Sequence, residues 1–121
     1  LEVTELVGVD FLVTCGCEEG LGSDEFCTIM RSNPTPADFD AHHGDPKNFV
    51  IDQWCAQNIY QALDHASKIY IYSAGLSTKD VERFQGHKIT DCQATVNALL
   101  KTHKNVAVIP DGPYVVGKIR S

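Results

Sequence analysis

Val9-Asp10-Phe11-Leu12-Val13-Thr14 is followed at once by Cys15-Gly16-Cys17-Glu18-Glu19-Gly20-Leu21-Gly22 and then by Ser23-Asp24-Glu25-Phe26. The first six residues are mostly apolar and rich in β-branched and aromatic side chains. They are too few for a stable helix and end in glycine, so they read as a buried strand. Ser23 suits a helix N-cap, and Asp24 and Glu25 suit the positive end of a helix dipole. The pattern predicts a helix over 24–31, stopped by Asn33-Pro34. Strand, glycine-bearing loop and helix in that order open a β-α unit.

The same alternation continues outward. Thr35 with Pro36 and Asp38 carries the signature of a capping box, and the short helix it starts should end near His43-Gly44. Asp45-Pro46 turns the chain. A longer helix is predicted over 48–67 with the stripe Ile51, Cys55, Ile59, Ala62, Leu63 and Ala66, and Trp54 lies one step off it beside Asn58 and Gln61. Residues 68–73 (KIYIYS) read as a second strand ended by Gly75. Ser77, with Asp80, caps a helix over 78–85, and a polar stretch through His87 and Lys88 leads to Asp91. Asp91 caps a helix over 92–103 carrying Val96, Leu99, Leu100 and His103 on one stripe. Residues 105–109 (NVAVI) are predicted as the third strand, Pro110-Asp111-Gly112-Pro113 as a turn, and 114–116 as a short edge strand. Short apolar runs separated by helices predict one α/β domain over 1–121, a three-layer sandwich with a small, mostly parallel, Rossmann-like sheet.

The 121 residues allow one domain, and a net charge of −6 argues against a nucleic-acid or anionic-membrane surface. No apolar run approaches the roughly 18 residues of a membrane span. The chain starts at Leu1 within an amphipathic segment, so a domain excised from a longer protein is expected. Five cysteines, an odd number with no leader ahead of them, suggest reduced thiols and a cytoplasmic setting. Cys15-x-Cys17 lacks the spacing of a zinc or C-x-x-C redox site, and the thiols are expected to pack as small hydrophobes.

Ligands of open α/β sheets collect beyond the carboxyl ends of strands, which here means loops 16–22, 73–77 and 110–113. The first loop departs from a phosphate cradle: it is not G-x-G-x-x-G, it lacks a Lys-Ser/Thr pair, and Glu18 and Glu19 repel an anion. Its glycines read more simply as turn residues. His42 and His43 are neighbours whose side chains diverge by about 100° on a helix, so they are expected at a solvated helix end rather than on one ligand. His65, His87 and His103 stand alone, and no nucleophile elbow is present. Trp54 is open to two readings, half-buried core or a ring presented to a partner or ligand.

Three stretches carry a resemblance. Residues 8–26 contain strand–C-x-E-G-x-G–helix, residues 52–57 read D-Q-W-C-A-Q, and residues 106–112 read V-A-V-I-P-D-G. In that order and spacing they resemble the second domain of nickel-pincer lactate racemases, which typically carry D-Q-W-x-x-Q and V-A-V-I-P-x-G. Cys15 and Cys17 depart from the family's loop. The resemblance implies the C-terminal domain of a two-domain 2-hydroxyacid racemase, in which the substrate passes through a ketoacid and is inverted. It implies that the catalytic histidines, the covalent lysine and the nickel pincer nucleotide belong to the N-terminal domain, with no catalytic residue, metal ligand or cofactor in this chain. Of the family's pocket residues the tryptophan carries over, onto Trp54, with Gln53, Gly20 and Gly22 beside it in the matched motifs. The implied partners are the N-terminal domain and a small 2-hydroxyacid. Two other readings remain: a non-catalytic ligand-binding or protein-interaction α/β domain, and a thiol redox module using Cys15 and Cys17.

Overall fold

The computed structural model describes residues 8–112. Three strands, β1 (Val9–Thr14), β2 (Ala66–Tyr72) and β3 (His87–Lys88), form a parallel sheet in the order β1-β2-β3. Phe11 pairs with Ile69 and Thr14 with Tyr72, and across the other edge of β2 Tyr70 pairs with His87. The chain is α/β, as the alternation predicted.

Period-2 alternation along β2 sets its faces. Ile69 and Ile71 pack with Leu76, Val81, Cys15 and Cys17 in one apolar cluster. Tyr70 tilts against the His87 ring at 5.6 Å. A second cluster lies among the helices α1 (Asp24–Ser32), α2 (Pro36–His43) and α3 (Gln53–His65), built from Phe26, Ile29, Met30, Phe39, Ala56 and Tyr60. Phe84 touches both clusters and joins them.

The helix starts follow local chemistry. Ser23 accepts a hydrogen bond from the Phe26 amide, and complete capping boxes form at Thr35/Asp38 and at Ser77/Asp80 ahead of α4 (Thr78–Arg83). Asp91 caps α5 (Cys92–Leu99) through the Ala94 amide at 2.9 Å.

Several expectations are corrected. α3 starts at Gln53, not at 48, because a 3-10 turn over Pro46–Asn48 and a left-handed Asp52 (φ 65°) interrupt the chain first. Its buried residues are Ala56 and Tyr60, flanked by Cys55, Ile59 and Leu63, whereas Ile51 lies ahead of the helix and is 68% exposed. The period is that of the predicted stripe, but the burial of Tyr60 shifts its phase. α5 ends at Leu99 with no buried residue, and Leu100 is exposed. The strand at His87–Lys88 was expected only as a polar stretch; it pairs because the α4 turn delivers it beside β2.

The largest correction concerns 105–109. This segment joins no strand, and Val106, Val108 and Ile109 are exposed. β1 is therefore an edge strand among the described residues, half-buried rather than buried, with Val13 open to solvent. Apolar, β-branched composition marks a segment that suits a sheet but does not choose its neighbour. The edge strand expected over 114–116 falls outside the described residues.

Candidate functional site

The first loop and the start of α3 meet through one hydrogen bond. The Ser23 hydroxyl donates to the Asp52 carboxylate at 2.5 Å while accepting from the Phe26 amide at 3.2 Å. The N-caps of α1 and α3, 29 residues apart, are thus directly bonded.

On the loop side, Gly20 (φ 79°) and Gly22 (φ 127°) adopt backbone conformations that side chains disfavour. A Cβ at Gly20 would meet nothing within 4 Å, so its glycine serves the turn and leaves open space above it. The loop is fastened to the segment after β2: the Gly75 amide and the Ser73 hydroxyl donate to the Gly16 carbonyl at 3.1 and 3.0 Å. Gly75, anticipated only as a strand terminator, is a close-packing position. A Cβ there would lie 1.7 Å from the Cys17 carbonyl oxygen. Loops 16–22 and 73–77 thus sit together at the carboxyl edge of the sheet. The turn at 110–112 follows the exposed segment and is not the end of a sheet strand.

On the helix side, Gln53 spends both ends of its amide on the main chain. Its oxygen accepts from the Val50 amide and its nitrogen donates to the His43 carbonyl, each at 3.2 Å, which ties the start of α3 to the end of α2. Trp54 is 62% exposed on the first turn of α3, and Phe49 and Ile51 just ahead of it are exposed as well. Three large apolar side chains within six residues face solvent at this helix start. Burial and the negative charge of Asp52 push the neighbouring Cys55 thiol up.

The histidine pair departs from expectation in geometry. Both rings reach one side chain, that of buried Asn33: His42 Nδ1 lies 2.6 Å from its oxygen and His43 Nε2 lies 3.5 Å from its nitrogen. The Asn33 nitrogen also donates to the Ile29 carbonyl at 2.8 Å, and the Tyr60 hydroxyl donates to the Asn33 carbonyl. Asn33 is a buried polar knot: its side chain joins α1 and α2, and its main-chain carbonyl adds α3 through Tyr60. A shallow groove of about 300 Å³ runs past Asn33 and His43, bordered by Asp24 and Glu25.

Among the described residues no three His, Cys, Asp or Glu side chains converge as metal ligands. All five cysteines are free and half-buried. Burial, reinforced by the Cys17 thiol, pushes Cys15 up, opposite to the thiolate that redox chemistry needs.

The structure brings Gly22 and Trp54 to adjoining helix starts through Ser23 and Asp52. Sequence reasoning missed that link, although Asp is among the residues that tolerate a left-handed backbone. No curated protein and no solved structure matches the chain. The family described as the lactate racemase C-terminal domain matches residues 2–117, nearly the whole length. The chain belongs to the lactate racemase C-terminal domain family.

Proposed function

We propose that this chain forms one wall of the active site of a 2-hydroxyacid racemase, closing over an N-terminal domain of the same protein. That domain carries the acid–base histidines, the lysine and the nickel pincer nucleotide, and this domain is inactive by itself. The observation that carries the reading is Trp54: a large apolar ring, 62% exposed, on the first turn of α3 and inside the D-Q-W stretch that resembles the family's. An exposed indole beside a glycine loop suits a surface that becomes covered when a second domain and a substrate arrive.

The residues at this junction do not fit a nickel-ligating role. Its carboxylate, Asp52, is engaged by Ser23, and no ligand cluster forms among the described residues. The part assigned to this chain is physical. Trp54 supplies apolar contact and helps exclude water, and the Gly20–Gly22 backbone lets a partner approach closely. Gln53 acts through the turn it braces. Five unpaired thiols agree with a cytoplasmic enzyme. No helix among the described residues is long and apolar enough to cross a membrane.

The test is Trp54→Ala in the two-domain protein, with racemisation of a panel of small 2-hydroxyacids followed by chiral chromatography. Loss of one aromatic contact, about 1.5–3 kcal/mol, should lower kcat/KM roughly 10- to 100-fold. Circular dichroism should show this domain still folded, because the ring belongs to neither of its apolar clusters. Unchanged kcat/KM, or a wild-type protein that racemises no 2-hydroxyacid, overturns the reading.

A further inference from the structure

We infer that Asp52 and Ser23 are positioning residues whose hydrogen bond holds the Gly20–Gly22 loop and Trp54 in one fixed relation. For its catalytic consequence this rests on Trp54 being a pocket wall; for its structural consequence it does not.

Asp52 has a left-handed backbone (φ 65°, ψ 6°), a conformation that costs a residue with a Cβ, though Asp less than most. The chain has two other non-glycine residues of this kind among those described. Gln85 follows the end of α4, a common place for that conformation, and Cys17 belongs to the same glycine loop. Two of the three therefore lie in the segments that the Ser23–Asp52 bond joins.

Asp52 is also the N-cap of a thirteen-residue helix, yet its side chain makes no cap hydrogen bond to that helix. An aspartate at this position ordinarily accepts from an amide two or three residues on. Here the carboxylate is turned to Ser23, 29 residues away, at 2.5 Å. The capping interaction is given up for a long-range one.

Trp54 follows two residues later. Being 62% exposed, its ring is not fixed by core packing, so its direction depends on the backbone that starts the helix. The left-handed turn at Asp52 sets that start, and the carboxylate bond to Ser23 sets where it lies against the loop. Ser23 is in turn fixed by capping α1. Loop, cap, cap and indole form one chain of constraint.

Three variants separate the possibilities. Asp52→Asn keeps an acceptor for Ser23 and tolerates the left-handed backbone. Asp52→Gly keeps the backbone at no steric cost, leaves Ser23 capping α1, and removes the acceptor. Ser23→Ala removes the donor. Trp54 is the only tryptophan of the 121-residue chain, so acrylamide quenching of its fluorescence reports its surroundings directly. Asp52→Asn should quench like wild type, whereas Asp52→Gly and Ser23→Ala should both differ from it in the same direction. In quenching, the double variant Ser23→Ala/Asp52→Gly should fall short of the sum of the two single effects, because both remove the same bond, even though Ser23→Ala also removes the α1 cap.

In the two-domain protein, displacement of the wall should lower kcat/KM about 10- to 100-fold in Asp52→Gly and leave Asp52→Asn near wild type. A merely structural role would lower the melting temperature without this split between Asn and Gly. Quenching in Asp52→Gly identical to wild type overturns the inference. So does unchanged kcat/KM in Asp52→Gly and Ser23→Ala where Trp54→Ala is impaired. If Trp54→Ala is itself unimpaired while quenching shifts as expected, the wall reading fails and the Ser23–Asp52 tie stands.

Discussion

Replacing Tyr60 by Phe tests the polar knot that holds the three helices together. Tyr60 is 3% exposed, and its ring packs on Phe39 with centroids 5.0 Å apart, so Phe preserves the apolar contact and removes only the hydroxyl. That hydroxyl donates to the main-chain carbonyl of Asn33, a residue only 1% exposed. The variant therefore leaves a buried acceptor without its partner, which costs about 1–3 kcal/mol. For 121 residues the unfolding entropy is about 0.25 kcal/mol per kelvin near the midpoint, so the melting temperature should fall by roughly 4–12 °C. Circular dichroism melts and urea titrations check it, with the urea midpoint moving and the slope unchanged. The pH dependence gives a second handle. Burial, with the negative charge of Asp38 adding to it, pushes the Tyr60 phenol above its ordinary value of about 10. A group whose folded value is raised contributes stability that is complete below its unfolded value and is lost as pH rises through the folded one. The wild type should therefore lose part of its advantage over Tyr60→Phe above pH 10. A melting shift under about 1 °C at pH 7 would refute the account of Asn33 as a carbonyl that depends on Tyr60.

Gly75→Ala should cost about 3 kcal/mol or more, since the added Cβ would lie 1.7 Å from the Cys17 carbonyl and backbone cannot yield as a side-chain end can. Urea unfolding checks it, and faster hydrogen exchange at the Gly75 amide, which now bonds the Gly16 carbonyl, should accompany it; stability within 0.5 kcal/mol of wild type would contradict the packing. At α4 the Ser77 hydroxyl, with Arg31 and Arg83 nearby, holds the Asp80 carboxyl below its usual value of 3.8. Its stabilisation is present above that value and is lost as pH falls through the lower folded one. Asp80→Asn should therefore cost about 1 kcal/mol at pH 7 and progressively less below pH 4. A difference independent of pH would show that the carboxylate charge contributes nothing.

What was legible in the sequence was local. Ser23, Thr35 with Asp38, Ser77 with Asp80, and Asp91 all cap the helices they were expected to cap, because each bond spans three residues and no partner has to be found. The two long strands were legible from composition, since most of β1 and of β2 is apolar, β-branched or aromatic, although β2 starts at Ala66, two residues before the expected 68, directly after α3. The sheet's extent was not. Val106, Val108 and Ile109 have the same composition as β1 and stay outside the sheet, whereas polar His87–Lys88 pairs with β2. Composition describes what a segment tolerates; pairing depends on where the preceding helix sets it down. The phase of α3 failed for a related reason. Ile51 and Tyr60 compete for the core, and the 3-10 turn over Pro46–Asn48 and the left-handed Asp52 leave Ile51 outside the helix.

The same division explains the candidate site. Trp54 stood off the expected stripe, which left half-buried core and a presented ring both open; the structure decides for the exposed ring, and its setting depends on the bond between Asp52 and Ser23, 29 residues apart. Two of the three stretches that carry the family resemblance, 8–26 and 52–57, are joined by that single hydrogen bond. The third, 106–112, joins no strand; just ahead of it the His103 ring lies 3.0 Å from the Asp10 carboxylate at the start of β1. A motif that exists to build the core would place its large apolar residues inward. The D-Q-W segment instead commits its Asp to another helix start and its Gln to the main chain, and leaves its Trp in solvent. The Ser23 bond compensates Asp52, but the apolar surface at Trp54 stays exposed among the described residues. Such an arrangement makes physical sense where the exposed ring is covered from outside.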